Sequence, residues 1–200
     1  MASKRKKRLI LTTPDLVLLS LLAERPMHGY QANAELERRE IRDWAGLSRP
    51  QVYYSLEKLA RAGLIRAAET GEPAAGPERA SYATTEKGRA ALADALARED
   101  WATQRERPAF LTWLALSWQA TAKTVRTQLR RRQEFLESEI VREKETLDSV
   151  LQEVGHRYHE AVWMLELMIE KLETELRWVN RVAQEINKRG KAKHPDYAKG

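Results

Sequence analysis

Ser48, Arg49, Gln51, Tyr53, Tyr54, Lys58 and Arg61 fall within one short stretch of the chain. Their chemistry is that of hydroxyl, amide, phenol and cation. Such groups hydrogen-bond base edges and neutralise phosphates: a glutamine amide can meet adenine through both of its polar atoms, and arginine and lysine are drawn to the sugar-phosphate backbone. At about 3.6 residues per turn, Pro50, Tyr54, Glu57, Lys58 and Arg61 share the outer face of a helix, and Gln51 and Tyr53 flank it. Val52, Leu56 and Leu59, with Ala60, form the inner stripe. Gln51 and Tyr54 are accordingly assigned to base edges, and Arg49, Tyr53, Lys58 and Arg61 to phosphates. An ordinary surface helix has a similar pattern, so the neighbouring elements must decide between the two.

The ends of this helix are marked. Ser48 followed by Gln51 is a capping-box pair, and Gly63 can take the left-handed conformation that closes a helix, with Leu64 packing back on the last turn. Upstream, Thr13, Pro14 and Asp15 start a leucine-rich helix that runs to residue 24. His28, Gly29 and Tyr30 lead into a second helix to residue 40, with Tyr30, Ala34, Leu36 and Ile41 inward. Trp44 and Leu47 fill the gap before the third. Downstream, residues 64–68 and 80–84 read as strands joined by a Gly- and Pro-rich segment. That order is a wing, and it sets Arg66, Arg79 and Tyr82 against the DNA backbone. A connector helix follows from residue 86 to 102, with Thr85 as its cap.

With 42% hydrophobic and 32% charged residues in 200, the chain can build a core, and its net charge of +6 suits nucleic acid. Much of that excess lies in Lys4, Arg5, Lys6, Lys7 and Arg8, without which the first half is close to neutral. This arm is either a phosphate-seeking extension or a solubilising tail. The absence of cysteine excludes disulfides and thiolate chemistry. There is no Gly-rich phosphate loop, nucleophile elbow or distinctive carboxylate pair, so no enzyme activity and no cofactor are expected. Pro14 and Asp15 interrupt the early apolar run and no stretch is long enough to span a bilayer, which points to the cytoplasm.

Beyond Pro108 the periodicity becomes purely helical. Phe110, Leu114 and Trp118 line a short helix, and a long one runs from residue 121 to 154. After Gly155, a helix from residue 158 carries Val162, Leu165, Ile169, Leu172, Leu176 and Val179 at heptad spacing. A second stripe of Trp163, Leu167 and Met168, with Met164 beside it, asks for more than one neighbour: the preceding helix, packed antiparallel, on one side and the same region of a second chain on the other. The heptad residues are assigned to dimerisation, the alternative being a three-helix bundle within one chain. Trp113, Trp118, Trp163 and Trp178 either pack this bundle or wall a pocket for a flat aromatic effector. His156 and His159 lack a third ligand at a metal-binding spacing, so no metal site is assigned.

Four motifs in order carry a resemblance: H-G-Y at residues 28–30, S-x-x-Q-V-Y at 48–53, L-x-x-x-G-L-I at 59–65 and R-x-x-Y-x-x-T-x-x-G at 79–88. Together they resemble the winged helix-turn-helix of the PadR family of bacterial transcription regulators, over about residues 10–100. The charged helical remainder is similar in general shape to the long-tailed, virulence-activator-like branch. The chain departs from short-tailed members in carrying Pro50, Tyr54 and Glu57 where those tend to have Gly, Pro and a basic residue. The resemblance implies a mainly α fold: an N-terminal winged helix-turn-helix with a two-stranded wing, followed by a long-helix C-terminal dimerisation domain. The divisions are 1–11 (basic arm), 12–104 (DNA-binding domain), 105–188 (dimerisation) and 189–200 (basic tail). The implied function is a homodimeric, sequence-specific regulator of transcription, most simply a repressor on a pseudo-palindromic operator of double-stranded DNA, with an aromatic effector in some relatives. The rival is a winged-helix protein-interaction scaffold.

Overall fold

Helix α1 (Thr13–Glu24) begins one residue earlier than the Thr13 cap reading, with Thr12 as its N-cap and Pro14 inside the first turn. Asp15 closes the cap from within: its Oδ2 accepts from the Thr12 backbone N–H at 2.7 Å and from the Thr12 hydroxyl at 2.8 Å. Leu16, Leu18, Leu19, Leu21 and Leu22 are buried on nearly every side of α1. Each contributes roughly 1.5–3 kcal/mol on burial, so α1 is the post against which the rest of this unit is set. The computed structural model describes residues 10–68, 80–104, 106 and 108–188, and the chain divides between residues 105 and 106 into two compact units.

In the first unit α2 (Gly29–Arg38), α3 (Ile41–Ala45) and α4 (Arg49–Arg61) follow α1. The buried side of α2 is Gly29, Ala32 and Leu36. Tyr30, expected inward, is 76% exposed, and Ala34 is exposed too. Its H-G-Y position starts the helix, where the outward turn is set by Gly29 facing the core. Helix α3 was not anticipated; it is a single turn held between two left-handed residues, Glu40 and Gly46. Ile41 and Leu47 there are buried, whereas Trp44 lies half in solvent and fills no gap.

Strands β2 (Ile65–Ala68) and β3 (Ser81–Thr84) pair antiparallel with Ile65 opposite Thr84 and Ala68 opposite Ser81. The sheet has three strands, not two: β1 (Met27–His28) adds to the other edge of β3, in the order β1-β3-β2, with Met27 opposite Tyr82. Two residues are too few for an alternation to be visible in sequence. Helix α5 (Glu86–Leu96) stops well before residue 102, and a separate turn, α6 (Asp100–Thr103), follows.

The second unit opens with α7 (Ala109–Leu116) and a 3-10 turn at Ser117–Gln119, then α8 (Ala122–Val154) and α9 (Glu160–Glu185). Gly155, at φ 77°, reverses the chain between the two long helices. They run antiparallel: Arg126 reaches Asn187, Arg132 holds Glu175 and Lys144 holds Glu173. His156 and His159 lie in this reversal and not within a helix, where each Nδ1 accepts a backbone N–H, from Tyr158 and Ala161 respectively.

The heptad stripe meets a neighbour in its own chain. Val162, Leu165, Ile169 and Val179 are buried in the single chain, and Leu172 and Leu176 pack beside Val125, Leu129 and Leu136 of α8. Their assignment to dimerisation is therefore corrected, because α8 already fills that seam. What α9 leaves uncovered is the second stripe, with Trp163 52% and Leu167 56% exposed. Among the described residues no helix is long and apolar enough to cross a membrane. Arg79, the basic arm and the tail after residue 188 lie outside the described residues.

Candidate nucleic-acid interface

Helix α4 is fixed at both ends and along one side. At its start the Ser48 backbone N–H and hydroxyl both donate to Gln51 Oε1, at 2.8 and 2.9 Å. At its end Gly63 takes φ 68°, and the Leu64 N–H returns to the Leu59 carbonyl at 2.9 Å. Lys87 adds its ammonium to the Ala62 carbonyl at 2.6 Å, a cation at the negative end of the helix. Val52, Leu56 and Leu59 are buried as read, joined by Ser55.

The motif glycines are explained by close approach. A Cβ on Gly29 would stand 3.0 Å from the Tyr53 ring and 3.2 Å from Leu56, so H-G-Y lets the start of α2 seat against α4. A Cβ on Gly88 would lie 2.1 Å from the Leu64 carbonyl oxygen. That contact is where α5 crosses the end of α4, and Thr85 supports it by donating its hydroxyl to the Leu64 carbonyl at 3.0 Å.

Lys58 does not face outward. Its ammonium lies 2.5 Å from Asp15 Oδ2 and 3.0 Å from the Ile10 carbonyl, and its side chain is only 18% exposed while that of Asp15 is fully buried. The assignment of Lys58 to a phosphate is corrected on this ground: a cation compensating a buried carboxylate is not free to leave it. Burial alone would raise the Asp15 pKa, but hydrogen bonds from Lys58, from the Thr12 backbone and hydroxyl and from Ser55 outweigh it, and the carboxyl is held below the usual aspartate value. Tyr82 is also corrected. It is half-buried against the core of the unit, between Met27 and Ala67 in the sheet, so its ring serves packing.

The outward set is then Arg49, Tyr53, Tyr54, Glu57 and Arg61 from α4 and Arg66 from β2, all exposed. Arg49 and Arg66 pair with no carboxylate among the described residues, and Arg61 only approaches Glu57, at 3.6 Å. The cations at the end of α2 are different. Arg38 and Arg39 are spent on Glu35 and Glu24, and those hydrogen bonds lower the pKa of both acids. Gln51 is exposed, but its carbonyl oxygen closes the cap, so in this conformation only its amide nitrogen is left for a base. Exposed Tyr30 was missed; its signal in the sequence was its place beside Gly29, whose hydrogen side chain can only face a close neighbour.

The four tryptophans do not form one pocket in the chain. Trp113 packs on α8 and stacks on Phe110 with centroids 5.2 Å apart. Trp118 and Trp163 are half exposed. Trp163 and Trp178, on the same helix, are separated by roughly 22 Å at 1.5 Å per residue. No group of three or more His, Cys, Asp or Glu residues that could hold a metal occurs among the described residues.

Residues 18–94 match the family described as the transcriptional regulator PadR-like family. No curated protein sequence matches the chain. Among solved structures, PadR of Bacillus subtilis in complex with operator DNA is similar at TM-score 0.74 and 15% identity, over 89% of this chain and 99% of that one. The same regulator in complex with p-coumaric acid is similar at TM-score 0.72 and 14% identity, over 88% and 99%. A PadR-like transcriptional regulator from Bacillus cereus is similar at TM-score 0.67 and 16% identity, again over 88% and 99%. At such identities the likeness speaks for the fold, which extends through both units. The motif residues seated in the winged helix all lie in or beside residues 18–94, the segment that is similar to the PadR-like family of transcriptional regulators.

Proposed function

We propose that this DNA-binding transcription regulator acts as a homodimer, most simply as a repressor, setting α4 of each subunit into successive major grooves of a pseudo-palindromic operator. Half-sites then lie about 34 Å, or a small multiple of it, apart. One observation carries the reading: a helix capped at both ends and anchored through Lys58 leaves Tyr53, Tyr54, Arg49 and Arg61 exposed, Arg49 with no carboxylate partner among the described residues and Arg61 only 3.6 Å from Glu57. Tyr54 and the Gln51 amide nitrogen are assigned to base edges, and Arg49, Tyr53, Arg61 and Arg66 to phosphates. Arg79 and the Lys4 to Arg8 arm extend the phosphate contacts. The exposed stripe of Trp163 and Leu167 on α9 is the face offered to a second copy. The operator complex of the Bacillus subtilis relative supports the DNA partner, and its p-coumaric acid complex supports control by a small aromatic effector.

Gel shifts on the DNA upstream of the protein's own gene, at two salt concentrations, test this. Tyr54→Ala should narrow the gap between operator and unrelated DNA. Arg49→Ala should weaken both alike and reduce the salt slope by about 1. Binding that is equally weak on every sequence in the unaltered protein would favour an interaction scaffold instead.

A further inference from the structure

We propose that the open end of the α8–α9 hairpin, where α8 begins and α9 ends, is a second docking surface for double-stranded DNA, one that holds the phosphate backbone without reading sequence. It lies wholly within the second unit and uses no residue of α4.

Charge is sorted along the hairpin. Residues 121–133 carry five cations and no acid, and residues 176–188 on the facing helix carry three cations and one acid. Residues 134–160, which lead to the reversal at Gly155 and through it, carry eight acids and three cations. A polyanion is therefore drawn to one end of the hairpin and turned away from the other.

At the basic end the donors are aligned. Lys123, Arg126, Arg130 and Gln133 recur at intervals of three and four, which makes one row along α8. Arg177, Asn180, Gln184 and Asn187 make the same row along α9. Arg126 donates to Asn187 at 3.2 Å and Gln133 to Asn180 at 2.5 Å, so the two rows lie side by side. Every position in them is a cation or an amide, and the three cations of α8, with Arg177, Gln184 and Asn187, are exposed. The neighbouring acids do not cancel this charge. Glu185 lines the apolar cleft with Leu114 and Val125, and Glu175 is held by Arg132. Arg130 approaches Glu134 at 3.7 Å, but both side chains are about two-thirds exposed, and so exposed a pair opens readily to a phosphate.

Size and composition fit a duplex. At 1.5 Å per residue the α8 row is about 15 Å long, enough to follow three or four phosphates of one strand at about 3.4 Å of duplex axis each. Amides set among cations suit phosphate oxygens, which position a protein on DNA without specifying sequence. The first half of the chain is close to neutral outside its basic arm, so the cations of the described chain are concentrated here and not on the winged helix. The stripe offered to a second copy is elsewhere on α9: Leu167 and Trp163 lie roughly 15 and 21 Å along the axis from Arg177.

The test saturates an immobilised operator duplex, cut to its two half-sites, with the full-length protein and then adds a labelled duplex of unrelated sequence. The complex should capture the second duplex at about 50 mM salt and release it at about 200 mM, as counterion release requires. Lys123→Gln, Arg126→Gln and Arg130→Gln combined should abolish capture while the operator stays bound. The same variant should bind the unrelated duplex alone about tenfold or more weakly, with a salt slope lower by up to about 3. Glu134→Gln should act in the opposite direction and strengthen capture. No capture by the unaltered protein, or capture unchanged in the triple variant, overturns the surface. A triple variant that changes oligomeric state in sedimentation velocity also overturns it, by giving these rows to a subunit contact. The α4 reading fails separately: an operator held no better than unrelated DNA removes α4 as a reader, and the slope on unrelated DNA still decides this surface.

Discussion

The two units of this chain are specified by different means. In the first, single residues have single reasons: Gly29 admits Tyr53 and Leu56, Gly88 admits the Leu64 carbonyl, and Gly63 reverses the backbone. In the second, the α8–α9 hairpin is specified by repeat alone, through an apolar residue every three or four positions. A steric reason names both partners of a contact, whereas a repeat names only a face. This is why the motif reading placed α4 correctly against its neighbours, while the heptad reading found the antiparallel packing of α9 on α8 but gave the stripe that makes it to a second chain.

The contrast can be tested most strongly on α9 itself. Leu165→Arg puts a cation into the closed seam with α8, and the hairpin should lose most of its helical circular dichroism at ordinary temperature. Leu167→Arg, two residues on and exposed, should leave the helix signal intact and shift the protein to monomer in sedimentation velocity. If both variants behave as folded dimers, the partner of neither stripe has been identified.

Lys58 comes next in size. If it served only phosphate, Lys58→Met would leave the denaturant midpoint unchanged. With Asp15 buried beneath it, the same change should cost about 3–5 kcal/mol, as for a buried pair broken on one side. Replacing both partners, Asp15→Leu with Lys58→Met, should recover most of that loss in urea unfolding. The pH dependence has a definite sign. A carboxyl whose folded pKa is lowered stabilises the fold above the unfolded aspartate value, near about 4, and that contribution is lost as pH falls through the lower folded value. Stability attributable to this pair should thus be flat from neutral pH down to about 4 and fall below it, and the fall should be absent in the double variant.

Gly88→Ala tests the motif side directly. One added carbon 2.1 Å from the Leu64 carbonyl oxygen forces α5 away from the turn that ends α4, and about 1–3 kcal/mol is the usual cost of overpacking. Leu136→Ile in the α8 seam adds no volume and should cost less than about 1.5 kcal/mol. Thermal unfolding of the two variants side by side would reverse the contrast if the seam proved the less tolerant.

What was legible in the sequence follows the same division. The capping pair of Ser48 and Gln51, the helix stop at Gly63 and the buried stripe of α4 are local consequences of residue type, and they could be read without the fold. The two-residue strand β1 and the single turn α3 are too short to make a period, and they owe their form to partners distant in the chain. Lys58 was misplaced because helical spacing puts it at the edge of the outer face, and only its meeting with Asp15 on α1 decides which way it turns. Tyr82 was misplaced for the converse reason: a wing motif names its position but not the core that claims its ring.

The smallest effect bears on how the interface is charged. Glu57 sits on the outward face of α4 with its carboxylate 3.6 Å from Arg61, both side chains about two-thirds exposed. An exposed pair at that spacing is worth a few tenths of a kcal/mol at most, so Glu57→Gln should leave the melting temperature almost unmoved. Its effect on DNA should be the opposite of silent. Removing an anion that faces phosphates relieves repulsion and frees Arg61 to replace a counterion, so affinity should rise on operator and unrelated DNA alike, and the salt slope should steepen by up to about 1. A rise confined to the operator would instead place Glu57 against a base, where a carboxylate accepts from the cytosine amino group; affinity unchanged on both would move this face of α4 away from the duplex.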